Sequence, residues 1–441
     1  MEYTKEEIIK IVEEEEISFI RLQFTDINGY LRNVAITPRQ LDKALDNKIT
    51  FDGSSIEGFV RIEESDMYLR PDLSTFCILP WRKERKVARL ICDVYTPDGY
   101  PFEGDPRYRL RLAIEKAEEM GYSFQVGPEC EFFVFHTDEY GRPTTITHDT
   151  SGYFGVGAFD LGNNVRRDIC ITLEEMGYEI ETSHHEVARG QQEIDFKYAD
   201  ALEAADNIMT FKFVVQSVAK QDGLCASFMP KPLKGENGSG MHINMSLTKN
   251  GENVFYDARD ERGNGLSKEA FSNIAGIMEH IKGMTMLCNP TVNSYKRLVA
   301  GYEAPVYIAW SSKNRSPLIR IPASRGSATR IELRSPDPSA NPYLAIAACL
   351  EAGLDGIEKH MKVPESVDGN IFEMSETIKK RLHIHRLPAN LEEAILEMQK
   401  DKMVVACVGN HIAQNLIKMK KAELEEYNQE ITPWEIEHYI K

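Results

Sequence analysis

The stretch Gly127-Pro128-Glu129-Cys130-Glu131-Phe132-Phe133-Val134-Phe135 constrains this chain more than any other. Aromatic and β-branched residues after a Gly-Pro breaker predict a β-strand. Alternation sets Glu129, Glu131 and Phe133 on one face, with Cys130, Phe132 and Val134 on the other. Two carboxylates on so apolar a strand cost free energy unless a cation neutralises them. Their Cα atoms lie about 7 Å apart, a spacing that suits one or two hard divalent ions. A lone Glu-x-Glu is more often a solvated edge face, so the weight falls on what the other segments supply.

With 441 residues, 42% hydrophobic and 27% charged, the chain is too long for one ordinary core, and two domains are expected. A net charge of −17 excludes nucleic acid or an anionic membrane as the main partner. No apolar run is long enough to span a bilayer, and the acidic start Met-Glu-Tyr-Thr-Lys-Glu-Glu is unlike a signal peptide. The eight cysteines form no C-x-x-C pair, so neither a zinc site nor a disulfide framework is indicated, and a cytoplasmic chain with reduced thiols is expected. Between Thr291 and Arg334, however, eight Lys or Arg face only two acids, Glu303 and Glu332. A basic island in an acidic protein reads as a site for anions.

In chain order, Thr4-Lys5-Glu6-Glu7 is a capping box opening an amphipathic helix. Two strands follow, over 18–25 and 30–36, joined by a turn ending in Asn28-Gly29. Thr37-Pro38-Arg39-Gln40 reads as a second capping box with a helix to about Asn47. A Gly/Ser-rich loop, residues 51–59, then holds Asp52. Strands around 75–80 and 88–94 complete a small α+β unit, and the Pro/Gly-rich stretch 97–106 marks a boundary near residue 103. The expected domains are therefore 1–103 and 104–441. Beyond the boundary, helices over 107–120 and 163–176 flank the Glu129 strand. Helices over 391–399 and 411–427 precede an aromatic tail at 433–439. No internal repeat is present.

Three further motifs carry chemistry. Glu181 to Asp195 is dense in metal-ligand types, including His184, His185, Glu186 and Glu193; the bland alternative is a polar loop and a solvated strand. Asn237-Gly238-Ser239-Gly240-Met241-His242 is a glycine-rich turn running into a strand on which His242, Asn244 and Ser246 share a face. Its glycines would let backbone N–H groups approach an anion, but it is neither a Walker loop nor a dinucleotide fingerprint. In Arg330-Ile331-Glu332-Leu333-Arg334 the charges alternate with apolar residues. That is a self-neutralising ladder on a plain surface; beside Arg315 and Arg320 it is a set of guanidinium forks around one more metal ligand. Hard oxygen ligands, one imidazole and an arginine cluster together point to Mg²⁺ or Mn²⁺ and to phosphoryl transfer from ATP to an anionic acceptor.

Four segments then carry a resemblance: residues 51–59 (Phe-Asp-Gly-Ser-Ser-Ile-Glu-Gly-Phe), 231–242 (Lys-Pro-Leu-Lys-Gly-Glu-Asn-Gly-Ser-Gly-Met-His), 289–305 and 314–322 (Asn-Arg-Ser-Pro-Leu-Ile-Arg-Ile-Pro). In this order they resemble the signatures of type I glutamine synthetases, and the resemblance covers essentially the whole chain. It implies an α+β fold: a small β-grasp-like N-terminal domain and a large catalytic domain with a curved antiparallel sheet and flanking helices.

The resemblance implies ligation of ammonium to L-glutamate, driven by ATP, through γ-glutamyl phosphate. Two or three Mg²⁺ or Mn²⁺ ions would be held, one by Glu131, Glu186 and Glu193 and another by Glu129, His242 and Glu332. Glutamate would meet Asn237, Gly238, Arg297 and Arg334. ATP would meet Glu181, Asn244, Ser246, Arg315, Arg320 and Arg330. Asp52 would take the proton of ammonium in a neighbouring subunit's site, and Glu303 would ride a closing loop. A homododecamer of two stacked hexamers is implied, with the tail gripping the opposite ring.

The chain departs from the family pattern at Arg189, Gln192 and Ala300, and Asn244 stands where many members have His. No Tyr lies between Leu344 and Glu426, where the adenylylated branch carries its target, so the chain resembles the short, non-adenylylated branch; the resemblance implies inhibition by glutamine, with Arg61 matching the sensing position. Some relatives of that branch bind nitrogen-responsive transcription regulators. Two rivals are a ligase using a polyamine or another amine, and a non-catalytic scaffold. Intact Asp52, Glu303, the six ligands and both glutamate-binding arginines speak against each.

Overall fold

A computed structural model describes residues 3–59, 66–82, 84–314 and 317–440. Arg61 and Arg315 lie outside the described residues. The helix Lys5–Glu14 opens on a closed capping box, with Thr4 Oγ1 accepting from the Glu7 N–H and the Glu7 carboxylate from the Thr4 N–H. The second expected box does not form. Thr37 makes no side-chain cap bond, because Pro38–Gln40 is a 3-10 turn and the α-helix that follows is only Leu41–Leu45. Gln40 ends the 3-10 turn instead of sitting in a first α-turn.

The N-terminal domain is a five-stranded sheet in the order Leu31–Ile36, Phe19–Thr25, Val87–Tyr95, Asp66–Leu79, Ile49–Asp52. All its pairings are antiparallel except that of Phe19–Thr25 with Val87–Tyr95. Ile20, Leu22, Leu69, Leu90 and Val94 fill its core.

The larger, C-terminal domain is organised on one strand, Ser123–Thr137, which runs for fifteen residues. The main path of its sheet is Trp310–Ser311, Ile319–Arg320, Ile331–Leu333, Met241–Lys249, Ser123–Thr137, Gln191–Phe196, Ile180–His185. The expected antiparallel arrangement holds but for a short parallel pair between 310–311 and 319–320 at the edge. Helix Ala201–Gln221 packs on strand Ser123–Thr137, and Pro342–Glu358 packs against that helix and against Lys268–Cys288; Pro342–Glu358 is buried on almost every side, as a helix apolar all round must be.

The C-terminal stretch Lys402–Gln429 is two helices joined at Gly409, whose φ of 77° is left-handed; the second follows Gly409, where a helix from 411 was expected, and the short first one was not foreseen. The tail Pro433–Tyr439 is helical and leaves Trp434, Ile436 and Tyr439 exposed. The two domains meet where Asn341 Nδ2 donates to the Asp26 carbonyl at 3.0 Å. All eight cysteines are free thiols. Among the described residues no helix is long and apolar enough to cross a membrane.

Candidate active site

Strand register gathers the charged residues on one face of the large sheet. Glu129 pairs with His242 on one side and Asp195 on the other. Glu131 pairs with Glu193, which pairs in turn with His184. Glu332 pairs with Asn244 and with Arg320. Directly opposed residues in antiparallel strands share a face, so one row of side chains collects carboxylates, imidazoles and a guanidinium.

Two clusters result. In the first, His242 Nδ1 lies 3.1 Å from Glu129 Oε2 and 3.7 Å from Glu332 Oε1. One ligand atom from each of Glu129, His242 and Glu332 lies within 4.8 Å of the others. Glu332 is fully buried and flanked by two cations: Arg320 Nη1 donates to one oxygen at 2.8 Å, and Arg334 Nη1 donates to the other. The surface-ladder alternative for 330–334 is thereby excluded.

In the second cluster the His184 ring stands 3.6 Å from both the Glu186 and the Glu193 carboxylates. Glu131 lies beside it, its Oε2 accepting from Gln191 Nε2 at 2.8 Å and from the Gly240 N–H at 2.9 Å. The glycine turn therefore spends this N–H on a carboxylate of the protein. Small size is still required: a Cβ on Gly240 would come within 2.7 Å of Arg297 Nη2 and His242 Nε2.

Electrostatics mark this as a site for cations. Burial, then the charges of Glu131, Asp195, Glu186 and Glu129, push Glu193 up to about 11. Burial raises Glu131 to about 7, against Arg297; burial and the charge of Glu131 take Glu186 to about 7. Glu129 moves the other way. Burial opposes its charge, but hydrogen bonds from His242 and Asn244 and the charge of Arg334 bring it down to about 2. Carboxylate oxygens this crowded, with one or two imidazoles, fit hard divalent ions of the Mg²⁺ or Mn²⁺ type.

Around the clusters, Arg297 is buried and donates to the Ser335 and Arg334 carbonyls at 2.7 and 3.1 Å. Arg334 Nε is buried with no partner. Asn237 Nδ2 lies 3.3 Å from Glu303 Oε2, and Glu303 has a strained φ of 57°. A cavity of about 400 Å³ opens on the other side of Glu129, lined by Glu181, Tyr198, Asn244, Ser246 and Arg330 among others. Asn244 bridges the two regions: its Nδ2 donates to Glu129 Oε1 at 2.8 Å and its Oδ1 accepts from Arg330 Nε at 3.1 Å. Arg320 points to Glu332 and does not line that cavity.

Asp52 is not brought to these clusters within the chain. It ends a strand of the small sheet, and its Oδ1 accepts from the Ser54 N–H and hydroxyl at 2.9 and 2.6 Å, which lowers its pKa. Sequence reasoning gave no individual role to His184, Gln191 or Asp195. His184 had a signal, standing two residues before Glu186 in a stretch dense in ligand types; Gln191 had none, since only its reach to Glu131 reveals it.

Two family models match this chain. The glutamine synthetase catalytic domain covers residues 103–439, and the glutamine synthetase β-grasp domain covers residues 16–97. The chain belongs to the glutamine synthetase family. It is an enzyme of that family, a glutamate–ammonia ligase. It is 60% identical over 439 residues to the glutamine synthetase of Clostridium saccharobutylicum, covering 99% of each chain. It is 55% identical over 441 residues to that of Staphylococcus aureus, covering 100% of this chain and 98% of the relative. Among solved structures, a GmaS–ADP complex superposes with a TM-score of 0.88 at 32% identity, covering 98% of this chain and 99% of that one. Plasmodium falciparum glutamine synthetase, solved by cryo-EM, gives 0.88 at 27% identity, covering 99% of each. The N-terminal β-grasp domain and the larger catalytic domain are thus shared with the glutamine synthetases.

Proposed function

We propose that ligation proceeds through γ-glutamyl phosphate on the carboxylate-rich face of the large sheet. The observation that carries this reading is the cluster Glu129, His242 and Glu332 set directly against Arg320 and Arg334. Such a face can accept cations and anions side by side, as phosphoryl transfer between two anionic substrates requires.

In this reading Glu131, Glu186 and Glu193 hold one divalent ion, with His184 at hand, and Glu129, His242 and Glu332 hold another. When bound, Mg²⁺ or Mn²⁺ neutralises phosphate charge and helps align the phosphoryl group. Arg297, Arg334, Asn237 and Gly238 orient glutamate. Glu181, Asn244, Ser246 and Arg330, around the cavity beside Glu129, orient ATP, and Arg315 together with Arg320, the latter from beside Glu332, meets its phosphates. A carboxylate oxygen of glutamate attacks the γ-phosphorus, and ADP leaves with the electron pair of the broken P–O bond. Ammonium gives up a proton to Asp52 of an adjacent subunit. The resulting ammonia attacks the acyl carbon, and phosphate departs with the electron pair of the C–O bond and takes the surplus proton from nitrogen, leaving the neutral amide. Glu303 lies over Asn237, where its loop excludes water from the acyl phosphate.

The same reading includes domains divided near residue 103, a dodecamer of two stacked hexamers joined through the Pro433–Tyr439 tail, and a cytoplasmic location. It also includes glutamine feedback through Arg61, in the branch some of whose members bind nitrogen-responsive regulators. The test is phosphate release from ATP with Mg²⁺ and glutamate, with and without ammonium, with glutamine measured in parallel. Ammonium-dependent phosphate matched by glutamine is expected. Phosphate released only with a polyamine or another amine would replace ammonia as the acceptor, and no turnover from an intact oligomer would leave a scaffold.

A further inference from the structure

Lys231 touches three segments that the proposed reaction needs. Its Nζ stands 3.7 Å from the centroid of the Tyr302 ring, immediately before Glu303. The same ammonium donates to the Glu236 carbonyl, immediately before Asn237. Its backbone is gripped by Asn293, whose Oδ1 accepts from the Lys231 N–H at 2.7 Å and whose Nδ2 donates to the Lys231 carbonyl at 3.1 Å. Asn293 stands immediately before the short helix Ser294–Arg297, which ends on Arg297. Arg189, one of the positions where this chain departs from its family's pattern, adds a tie of its own, with Nε 3.2 Å from Glu236 Oε1.

We propose that Lys231 is a positioning residue that latches the Tyr302–Glu303 loop onto the Asn237–Gly238 turn, and so sets how much acyl phosphate is captured by ammonia rather than by water. This rests on the acyl-phosphate reading above. A cation over an aromatic face is attractive without being directional, so the loop can release and re-form the contact in each turnover. Glu303 holds a left-handed φ of 57°, a conformation that persists only where surrounding contacts enforce it. When the latch is open, water attacks the acyl carbon, and glutamate and phosphate leave without glutamine.

The readout is the ratio of phosphate released to glutamine formed, with saturating ATP, Mg²⁺ and glutamate and limiting ammonium. Wild-type enzyme gives a ratio near one. Lys231→Met, which keeps the stem and removes the charge, and Tyr302→Leu, which removes the ring, each raise the ratio several-fold, while Lys231→Arg and Tyr302→Phe restore it. A ratio near one in both Lys231→Met and Tyr302→Leu, with normal oligomers, overturns the latch. Absence of ammonium-dependent glutamine from the wild type overturns the ligase reading itself and is seen before any variant is made.

Discussion

Arg107 clamps Asp206 with two parallel hydrogen bonds, Nε to Oδ1 at 3.0 Å and Nη2 to Oδ2 at 2.8 Å. The same guanidinium reaches Asp93 at 2.6 Å and Asp72 at 2.8 Å, both on strands of the small sheet. Asp206 lies on the helix Ala201–Gln221 of the large domain and also accepts from the Tyr343 hydroxyl at 2.7 Å. One buried cation therefore joins the two domains through three carboxylates.

Replacing Arg107 by Met leaves those carboxylates facing one another with Arg111 alone to share Asp72 and Asp93. The expected loss is about 3–5 kcal/mol of stability, the usual cost of removing one partner from a buried ion pair. Urea unfolding measures it. A change within about 0.5 kcal/mol, the range of ordinary surface substitutions, would show that the clamp does not hold the domains.

Glu332→Ala removes the acid that two arginines and His242 share. Catalysis is expected to fall by at least about 100-fold, the scale of losing groups that fix a metal ligand set. Divalent ions are expected to raise the melting temperature of the wild type, because any ligand that binds only the folded state adds RT ln(1 + [L]/Kd), about 2.7 kcal/mol at one hundred times Kd. Steady-state turnover checks the first and scanning calorimetry with Mg²⁺ or Mn²⁺ against a chelator the second, and an equal shift in Glu332→Ala would remove this residue from the metal site.

Asn244→Ala strips partners from Glu129 and Arg330 together. Leaving buried polar groups unpaired costs about 1–3 kcal/mol, so KM for ATP should rise roughly 5- to 150-fold. KM for glutamate should change far less, since Asn244 faces the cavity lined by Glu181, Ser246 and Arg330. Steady-state kinetics with each substrate varied in turn separates the two, and equal effects on both would place Asn244 elsewhere in the reaction.

A pH dependence arises far from the site, at His280. Its Nδ1 lies 2.8 Å from Asp401 and its Nε2 3.0 Å from Asp355, which Lys359 also contacts. Burial opposes the imidazolium, but the two carboxylates outweigh it and the pKa is raised. With the folded value above the unfolded one, this contribution is complete below the ordinary histidine value of about 6.5 and fades as pH rises through the folded pKa. Asp355 and Asp401 are depressed, so their share is present above about pH 4 and fades as pH falls through their folded values. Urea midpoints for wild type and His280→Gln should therefore differ most on the acid side of neutrality and converge in alkali. A constant gap would mean that His280 is not charged.

The sequence displayed the Glu129 strand, its alternation and the helix of residues 5–14 because each rests on local chemistry. The 231–242 and 330–334 motifs were legible for the same reason. Which strand lies beside which was not. That Glu193 pairs with Glu131 and also with His184 depends on partners about sixty and nine residues away, set by the packing of whole strands. The absent Thr37 cap shows the converse: a correct local pattern overruled because the backbone there takes a 3-10 turn. Gln191 and Arg107 carry no local signature at all, since each matters only through what the fold brings to it.

The fifteen-residue strand Ser123–Thr137 serves at once as the middle of the large sheet and as the bearer of Glu129 and Glu131. A slip of one residue against its neighbours would turn both carboxylates into the apolar core and Cys130 and Phe132 out of it. No half-formed version of this sheet can work slowly. A preparation with reduced specific activity after partial damage is then a mixture of fully active and inactive molecules, and titrating sites counts survivors directly.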